Sequence, residues 1–190
     1  MDNRDFFNKL AFQWDDISHH QPKKLKKIIK LANIENKCKI IDIGTGTGVM
    51  LEYLLDTNPQ KITAIDISEN MIAIAKSKYK DNRISFINED VLNFKENGYD
   101  FAILYSVYPH FKNKDILFKQ ISNLLNKNGK IVIAHSESKE KINSVHFRSH
   151  AIKNDILSPI EITFKIMSKY FKVDRMIDNE EMYFIDGIKL

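Results

Sequence analysis

The segment 39–49, KIIDIGTGTGV, constrains the fold of this chain more than any other stretch. It places three glycines at alternate positions directly after a short apolar run that contains an aspartate. The apolar run predicts a buried β-strand, and the glycines predict a sharp turn whose backbone a ligand can approach without an intervening Cβ. A strand that ends in such a loop is typical of open α/β sheets, which bind ligands at their strand ends.

The rest of the chain alternates apolar runs of strand length with helical patterns. Strands are predicted at 38–43, 61–66, 84–88, 99–106 and 130–134, and helices at 49–56, 68–79, 113–126, 139–152 and 159–170. Two further β-like runs, 172–177 and 182–188, flank a polar turn and predict a hairpin. Together they predict an α/β fold with a doubly wound sheet of seven strands, mostly parallel with an antiparallel C-terminal hairpin.

Turn and helix signals refine this organisation. Asn128 and Gly129 are predicted to end the helix before the fifth strand, and Pro159 to occupy the first turn of the last helix. Pro22 is predicted to open a helix within residues 1–37. We expect one domain over 1–190, with that N-terminal helical segment as a lid.

Composition excludes several classes of protein. The chain has 190 residues, an apolar share of 43% and no apolar run of spanning length, so we expect a soluble, cytoplasmic protein with no membrane span. The single cysteine, Cys38, excludes an internal disulfide and a cysteine-based zinc site. The net charge of +4 is too small to indicate nucleic-acid binding, and no nucleic-acid partner is expected.

Three kinds of glycine loop are compatible with the position after the first strand. A phosphate-binding P-loop needs a lysine and a hydroxyl residue at its end, and this loop has neither in place. The dinucleotide fingerprint needs a third glycine where Val49 stands, which argues against that cofactor. The pattern D-x-G-x-G-x-G matches 42–48 at every fixed position.

With Asp66 after the second strand and Asp90 after the third, this pattern resembles the motifs of class I S-adenosylmethionine-dependent methyltransferases. The passage 124–133, LLNKNGKIVI, is similar to a later motif of that family, with asparagine where proline and the first glycine commonly stand. The resemblance covers residues 37–135 and implies a Rossmann-like methyltransferase fold with S-adenosyl-L-methionine as cofactor.

The resemblance also implies the cofactor-binding residues. They are Asp42, Gly44, Thr45, Gly46, Gly48, Asp66, Ile67, Asp90, Val91 and Tyr105. In that family the residue at Asp66 accepts hydrogen bonds from the ribose hydroxyls, and the residue at Asp90 accepts one from the adenine amino group. Asp42 is expected to meet the methionine ammonium, directly or through water.

The sequence constrains the identity of the methyl acceptor less than that of the cofactor. The stretch 105–111 lacks the [DN]-P-P-[YF] motif, which disfavours methylation of base or glutamine amino groups. The N-terminal FFNKLAFQWDDIS resembles the first segment of methyltransferases that act on quinone precursors and other small molecules, which implies that Trp14 and Phe12 line the pocket. We therefore expect methyl transfer to a small-molecule acceptor, with an oxygen, nitrogen, sulfur or carbon nucleophile left open.

Two alternatives stay open beside that expectation. One is a non-catalytic S-adenosylmethionine-binding regulator or partner subunit, and the other is an RNA or protein methyltransferase. The oligomeric state is open as well.

The chain has six histidines, His19, His20, His110, His135, His146 and His150. His110 and His135 follow the fourth and fifth strands and are candidate catalytic bases, because the pKa of histidine lies near neutral pH. His146 and His150 are spaced i and i+4 on a predicted helix.

The last four histidines are expected to form one polar pocket beside the methyl group. His146 and His150, together with Trp14 and Tyr108, are predicted to line the substrate pocket. The same histidine pair joined by His135 or Glu137 also has the spacing of metal ligands, although no metal is predicted.

Overall fold

A computed structural model describes residues 2–190, so the predicted N-terminal segment is described from residue 2 onward and Met1 lies outside it. The helices are α1 (Asn3–Leu10), α2 (Trp14–Ile17), α3 (Pro22–Ala32), α4 (Leu51–Leu55), α5 (Glu69–Lys78), α6 (Lys114–Leu124), α7 (Lys139–Phe147) and α8 (Ile160–Met167). The strands are β1 (Lys39–Ile43), β2 (Lys61–Asp66), β3 (Ile84–Asn88), β4 (Tyr99–Tyr105), β5 (Leu125–His135), β6 (Phe171–Asp178) and β7 (Tyr183–Lys189). Short 3-10 turns cover Ala11–Gln13 and Tyr108–His110. Within residues 2–190, every helix is too short or too polar to cross a membrane.

The strands form one sheet of seven in the order β3-β2-β1-β4-β5-β7-β6. The first five pair in parallel, and β7 runs antiparallel between β5 and β6. This arrangement confirms the predicted doubly wound sheet with an antiparallel C-terminal hairpin. The strand order reverses between β1 and β4, and ligands bind beside the carboxyl ends of strands at such a reversal.

Side chains of the sheet pack on both of its faces. In β1, Ile41 and Ile43 belong to the core on the side of α6 and α8, whereas Ile40 belongs to the core on the side of α3 and α4. Alternate residues of a strand point to opposite faces, which explains this division. Because both faces are covered, β4 is apolar nearly throughout, as parallel strands usually are.

The junction between α6 and β5 differs from the prediction. The helix ends at Leu124 because Leu125 is extended and pairs with Tyr99 at the start of β5. Asn128 and Gly129 therefore lie within β5, where the pairing with β4 shifts register, and they do not cap a helix. The left-handed conformation of Asn128, with a φ of 64°, belongs to this irregularity in the ladder.

The last two helices are shorter than predicted. α7 ends at Phe147, and the chain then turns, with the amide of Ser149 donating to the carbonyl of His146. Pro159 precedes α8 as its N-cap because its ψ of 143° is extended, so it does not occupy the first helical turn. α8 ends at Met167, and β6 begins shortly afterwards.

Candidate functional site

A cavity of about 580 Å³ opens at the carboxyl ends of β1, β2 and β4. Its volume falls in the range of sites for small ligands and cofactors. One side consists of the segments that follow the strands, 43–47, 65–67, 89–92 and 105–107. The other side consists of residues from the N-terminal segment, from 110–113 and from 151–155.

Two positions of the loop after β1 require glycine for different structural reasons. Both have positive φ, 68° at Gly44 and 56° at Gly46, a conformation that glycine adopts without strain. A Cβ added at Gly44 would lie 2.3 Å from a methyl of Val107, whereas one at Gly46 would meet only the indole nitrogen of Trp14 at 4.0 Å. Gly46 therefore presents bare backbone to open space, and Gly44 makes room for the side chain of Val107, two residues after β4.

Asp66 connects this loop to the next helix. Its Oδ2 accepts a hydrogen bond from the amide of Gly46 at 2.8 Å, and its Oδ1 accepts one from the amide of Ser68 at 2.8 Å. Burial raises the pKa of Asp66, and the two amide hydrogen bonds oppose that rise. A carboxylate has about four lone-pair sites, so Asp66 keeps acceptor capacity for a ligand in the cavity.

Asp42 lies beneath the loop and does not line the cavity. It is buried, and its Oδ2 accepts a hydrogen bond of 2.6 Å from the hydroxyl of Thr45, which does line the cavity. Burial raises the pKa of this carboxyl to about 7. Any influence of Asp42 on a ligand therefore passes through Thr45 or through the field of a buried charge.

The end of β3 contributes a second carboxylate to the cavity. Asp90 lines it, and the Oδ1 of Asp90 accepts a hydrogen bond from the amide of Leu92 at 2.9 Å, which fixes the turn. Val91 is buried beside it. Glu89 lines the same wall, and its amide donates to the carbonyl of Asp66, which joins the ends of β2 and β3.

The N-terminal segment covers the cavity from the opposite side. Phe7, Trp14 and His20 line it, and Phe7 packs edge-on against Trp14 with ring centroids 5.6 Å apart. His20 Nδ1 and the hydroxyl of Tyr105 share a hydrogen bond of 2.8 Å. Phe12, which was expected in the pocket, is 77% exposed, because it projects away from the cavity.

Two side chains of α1 and α2 hold this segment on the sheet. Asn8 Oδ1 accepts a hydrogen bond of 2.6 Å from the hydroxyl of Ser68 at the start of α5. Asp15 accepts one of 2.6 Å from the hydroxyl of Thr47 in the glycine loop. The N-terminal segment is therefore bonded to the start of α5 and to the glycine loop.

His110 is the one of the last four histidines that lines the cavity. Its Nδ1 lies 2.8 Å from Oδ2 of Asp155. His146 packs behind it, with ring centroids 5.0 Å apart, and its own Nδ1 bonds to the carbonyl of Asp155.

His135 and His150 are not part of the cavity wall. His135 is buried, and neither of its ring nitrogens has a hydrogen-bond partner among residues 2–190. Burial together with the charges of His110 and His146 lowers its pKa to about 3. His150 lies beyond the end of α7 and is exposed, so the predicted i, i+4 pair with His146 does not form. Across residues 2–190, no group of three His, Cys, Asp or Glu side chains is placed to hold a metal ion.

The structure brings most of the predicted cofactor residues to one cavity. Those on its wall are Gly44, Thr45, Gly46, Asp66, Ile67, Asp90, Val91 and Tyr105. Gly48 is away from it, with Tyr79 and Leu51 packed where a Cβ would stand. Of the predicted acceptor-side residues, Trp14 and His110 line the cavity, whereas Tyr108 is buried in the core.

Some cavity residues carry little signal in the sequence. Glu89 stands directly before Asp90, and this neighbouring position is the sequence signal that could have placed it at the cavity. Phe7 belongs to the N-terminal segment FFNKLAFQWDDIS and is its first fixed aromatic residue, but Phe12 was expected in the pocket in its place. Asp155 follows no motif, and only the turn after α7 brings it to the cavity.

Comparison with known proteins agrees with this architecture. The family described as "Methyltransferase domain" matches residues 41–133. A ribosomal RNA small subunit methyltransferase A from Mesomycoplasma hyopneumoniae is 29% identical over 117 residues, covering 62% of this chain and 44% of the relative. A malonyl-[acyl-carrier protein] O-methyltransferase from Acetivibrio thermocellus is 31% identical over 114 residues, covering 56% of this chain and 39% of the relative. The chain thus spans less than half the length of these curated relatives.

A solved structure matches over nearly the whole length. The N-methyltransferase NodS from Bradyrhizobium japonicum, in complex with S-adenosyl-L-homocysteine, has a TM-score of 0.76 at 13% identity, covering 100% of this chain and 99% of that one. At this identity the likeness concerns the fold alone. Residues 41–133 thus match a methyltransferase domain, and the strand order and the loop after β1 are those of the class I S-adenosylmethionine-dependent methyltransferase fold.

Proposed function

We propose that this chain binds S-adenosylmethionine in the cavity and transfers its methyl group to a small-molecule acceptor. The observation that carries the proposal is the arrangement around one cavity of a bare glycine backbone at Gly46 and two carboxylates, Asp66 and Asp90, at neighbouring strand ends. A cavity of about 580 Å³ has room for a nucleoside-sized donor.

The residues present fit this donor. Asp66 keeps free lone pairs for the two ribose hydroxyls, while its bonds to Gly46 and Ser68 hold it in place. Asp90 accepts from the adenine amino group, and Gly46 leaves space for the methionine end. Bound there, S-adenosylmethionine supplies a sulfonium methyl group that is already activated for transfer.

The remaining catalytic contribution of the chain is alignment and proton acceptance. Holding a nucleophile in line with the methyl group accelerates transfer by removing the entropy of encounter. His110 lines the cavity and is the histidine suited to accept the proton of the acceptor. His135 has no access to the cavity, and a pKa of about 3 makes it a poor base.

The cover formed by the N-terminal segment supports a small acceptor. Phe7, Trp14 and His20 stand over the cavity, and His20 is hydrogen-bonded to Tyr105 on its opposite side, which leaves a partly covered space of small-molecule size. We propose that this segment acts as the lid.

Calorimetry with S-adenosylhomocysteine and S-adenosylmethionine tests the donor site. Wild type should bind both, and Asp66→Ala should weaken binding about 100-fold, because two hydrogen bonds to a carboxylate contribute together about 3 kcal/mol. Asp66→Asn, which keeps one acceptor oxygen, should fall between them. Asp56→Ala, at an exposed position after α4, is the matched control and should bind as wild type does. Absence of binding by wild type, or unchanged affinity in a folded Asp66→Ala protein, would refute the proposed donor site.

A second measurement tests the acceptor. The protein is incubated with labelled donor and either a protein-free metabolite extract or total RNA. Label should enter the small-molecule fraction. Label in RNA alone contradicts the small-molecule proposal, and donor binding without any transfer supports the alternative of a non-catalytic regulator.

A further inference from the structure

The contact between His110 and Asp155 pairs two residues that lie 45 positions apart. Both side chains line the cavity, and they are only 9% and 12% exposed. Oδ2 of Asp155 lies 2.8 Å from Nδ1 of His110, which is the length of a charge-assisted hydrogen bond.

The turn after α7 brings the chain back toward the cavity and holds Asp155 next to His110. Asn143 of α7 bonds both backbone groups of Leu157, donating to its carbonyl at 3.0 Å and accepting from its amide at 2.8 Å. His146 of the same helix bonds to the carbonyl of Asp155. Asp155 therefore lies between two anchored positions.

His110 is held as firmly from its own side. It ends the 3-10 turn after β4, and the buried amine of Lys114 donates to the carbonyls of Tyr108, Pro109 and Phe111 around it. The side-chain amide of Asn3 donates to the carbonyl of His110 at 3.1 Å. Both members of the pair are thus fixed by contacts outside the pair.

The surroundings of the imidazole leave one ring nitrogen open. Nδ1 faces Asp155, the ring of His146 packs on it with centroids 5.0 Å apart, and the ring of Phe7 packs edge-on, also at 5.0 Å. Nε2 of His110 makes no hydrogen bond to any side chain or backbone group of residues 2–190. A carboxylate that accepts from Nδ1–H selects the tautomer in which Nε2 carries a free lone pair.

Asp155 is suited to this role because it is ionised at neutral pH. Burial alone would raise its pKa, but the hydrogen bond from His110 and the charges of His110, His146 and Lys114 outweigh burial and lower it. A carboxylate is an acceptor only, so the proton between the two residues belongs to the histidine.

We propose, building on the function proposed above, that His110 and Asp155 form a dyad that takes the proton from a hydroxyl acceptor. The acceptor O–H proton moves to Nε2 of His110, the oxygen forms a bond to the methyl carbon, and the bond from that carbon to the sulfonium sulfur breaks. The products are the methyl ether, the neutral thioether S-adenosylhomocysteine and a His110 imidazolium stabilised by Asp155. The imidazolium then returns its proton to solvent. His110 is the catalytic residue of this pair, and Asp155 is a positioning residue.

A hydroxyl is the acceptor that most needs such a dyad. An amine attacks as its neutral form and releases a proton only afterwards, and a thiol is partly ionised at neutral pH. A carboxylic acid is already deprotonated. A hydroxyl holds its proton at neutral pH, so a base aligned on it contributes directly to the barrier.

The tautomer of His110 tests the dyad without knowledge of the acceptor. Protein with nitrogen-15 in its histidines is saturated with S-adenosylhomocysteine and examined by two-bond proton–nitrogen NMR, with His110→Gln to assign the signal. Wild type should show protonated Nδ1 and bare Nε2. Asp155→Ala should shift the population to protonated Nε2, whereas Asp155→Glu should keep the wild-type tautomer because its carboxylate can only accept. Protonated Nε2 in wild type overturns the dyad.

An acceptor panel tests the substrate class. Phenols, aliphatic alcohols, carboxylic acids, primary amines and thiols are incubated with labelled donor. We expect methylated hydroxyl compounds, with kcat reduced about 10²- to 10⁴-fold in His110→Gln and KM changed little. Asp155→Ala should show a smaller loss of kcat that Asp155→Glu partly restores. The control Asp56→Ala should retain full turnover. A panel without a methylated hydroxyl compound, or turnover of one that survives in His110→Gln, overturns the proposal.

Donor calorimetry on the same proteins distinguishes a failure of the dyad from a failure of the proposed function on which it rests. His110→Gln and Asp155→Ala should bind S-adenosylhomocysteine within about twofold of wild type, because both residues serve the acceptor. If wild type binds no donor, the proposed function fails. If wild type binds the donor normally and methylates no hydroxyl compound, only the dyad and its acceptor class fail.

Discussion

Replacing Gly44 or Gly46 with alanine should distinguish the glycine of the loop after β1 that packs against the protein from the one that faces the cavity. Both residues have positive φ, so either alanine is strained by about 1–2 kcal/mol. The two differ in what the new methyl meets. At Gly44 it would lie 2.3 Å from Cγ2 and 2.7 Å from Cβ of Val107, whereas at Gly46 the nearest atom outside the adjoining residues is 4.0 Å away.

The expected free-energy changes follow from these distances. An extra methyl forced into a packed site destabilises by about 1–3 kcal/mol, which adds to the backbone strain at Gly44. Gly44→Ala should therefore lower the free energy of unfolding by about 3 kcal/mol, or the melting temperature by about 6–12 °C for a domain of this size. Gly46→Ala should lower it by only about 1–2 kcal/mol but should weaken donor binding about tenfold, because its methyl enters the cavity.

Urea denaturation and donor calorimetry on both variants measure these effects. Val107→Ala and the double variant Gly44→Ala/Val107→Ala complete a mutant cycle. If the clash with Val107 is the cause, the double variant should recover about 1 kcal/mol relative to the sum of the single changes, because alanine removes the methyl at 2.3 Å but keeps the Cβ at 2.7 Å. Equal destabilisation by the two alanines, or a coupling energy near zero, would refute the assignment of the two glycines.

Two buried groups predict opposite dependences of stability on pH. Burial lowers the pKa of His135 to about 3 from its usual value near 6.5, so the unfolded chain binds a proton that the folded one does not, and wild type should lose stability as the pH falls from 6.5 towards 3. His135→Leu should reduce that loss, and it should stabilise the protein at neutral pH by about 1–3 kcal/mol because it removes two ring nitrogens that have no partner among residues 2–190. Urea unfolding of both proteins at pH 4.5 and 7.5 measures the two effects. The same pH dependence of stability in both proteins would contradict the prediction. Burial raises the pKa of Asp42 to about 7, so the ligand-free protein should lose stability as the pH rises from about 4 to 7, and Asp42→Asn should remove that slope; a slope equal to that of wild type would show that another group causes it.

Local pattern was enough to predict the parallel half of the sheet. The bounds predicted for β2 and β3 coincide with those of the structure, and Ser68 caps α5 as predicted, with its hydroxyl accepting from the amide of Met71. In these segments apolar periodicity and capping chemistry agree with the tertiary fold, so either one identifies the element.

The wrong predictions concern segments in which long-range contacts override local signals. Asn128 and Gly129 are typical of a helix end, yet the pairing of Leu125 with Tyr99 starts the strand before them. The helical pattern runs past Phe147, but the bonds of Asn143 to Leu157 require the chain to turn back.

The two sides of the candidate site also differ in how far local sequence predicts them. The donor side follows strand ends, which a sequence reveals through glycines and carboxylates at regular spacing. The acceptor side depends on Asp155, which only the turn after α7 brings to His110. Sequence reasoning therefore predicts the cavity residues at the strand ends better than it predicts those on the opposite side.

The cover over the cavity also has a consequence for the order in which the chain folds. Residues 2–20 precede every strand, but the groups they bond to come much later, at Tyr105 for His20 and at His110 for Asn3, 85 and 107 positions away. During synthesis this segment therefore emerges long before its docking surface exists. It must wait for β1 to β4 to assemble, and closing such long loops makes its docking a late event. In partial unfolding it should correspondingly be among the first parts to detach, opening the cavity while the sheet stays intact.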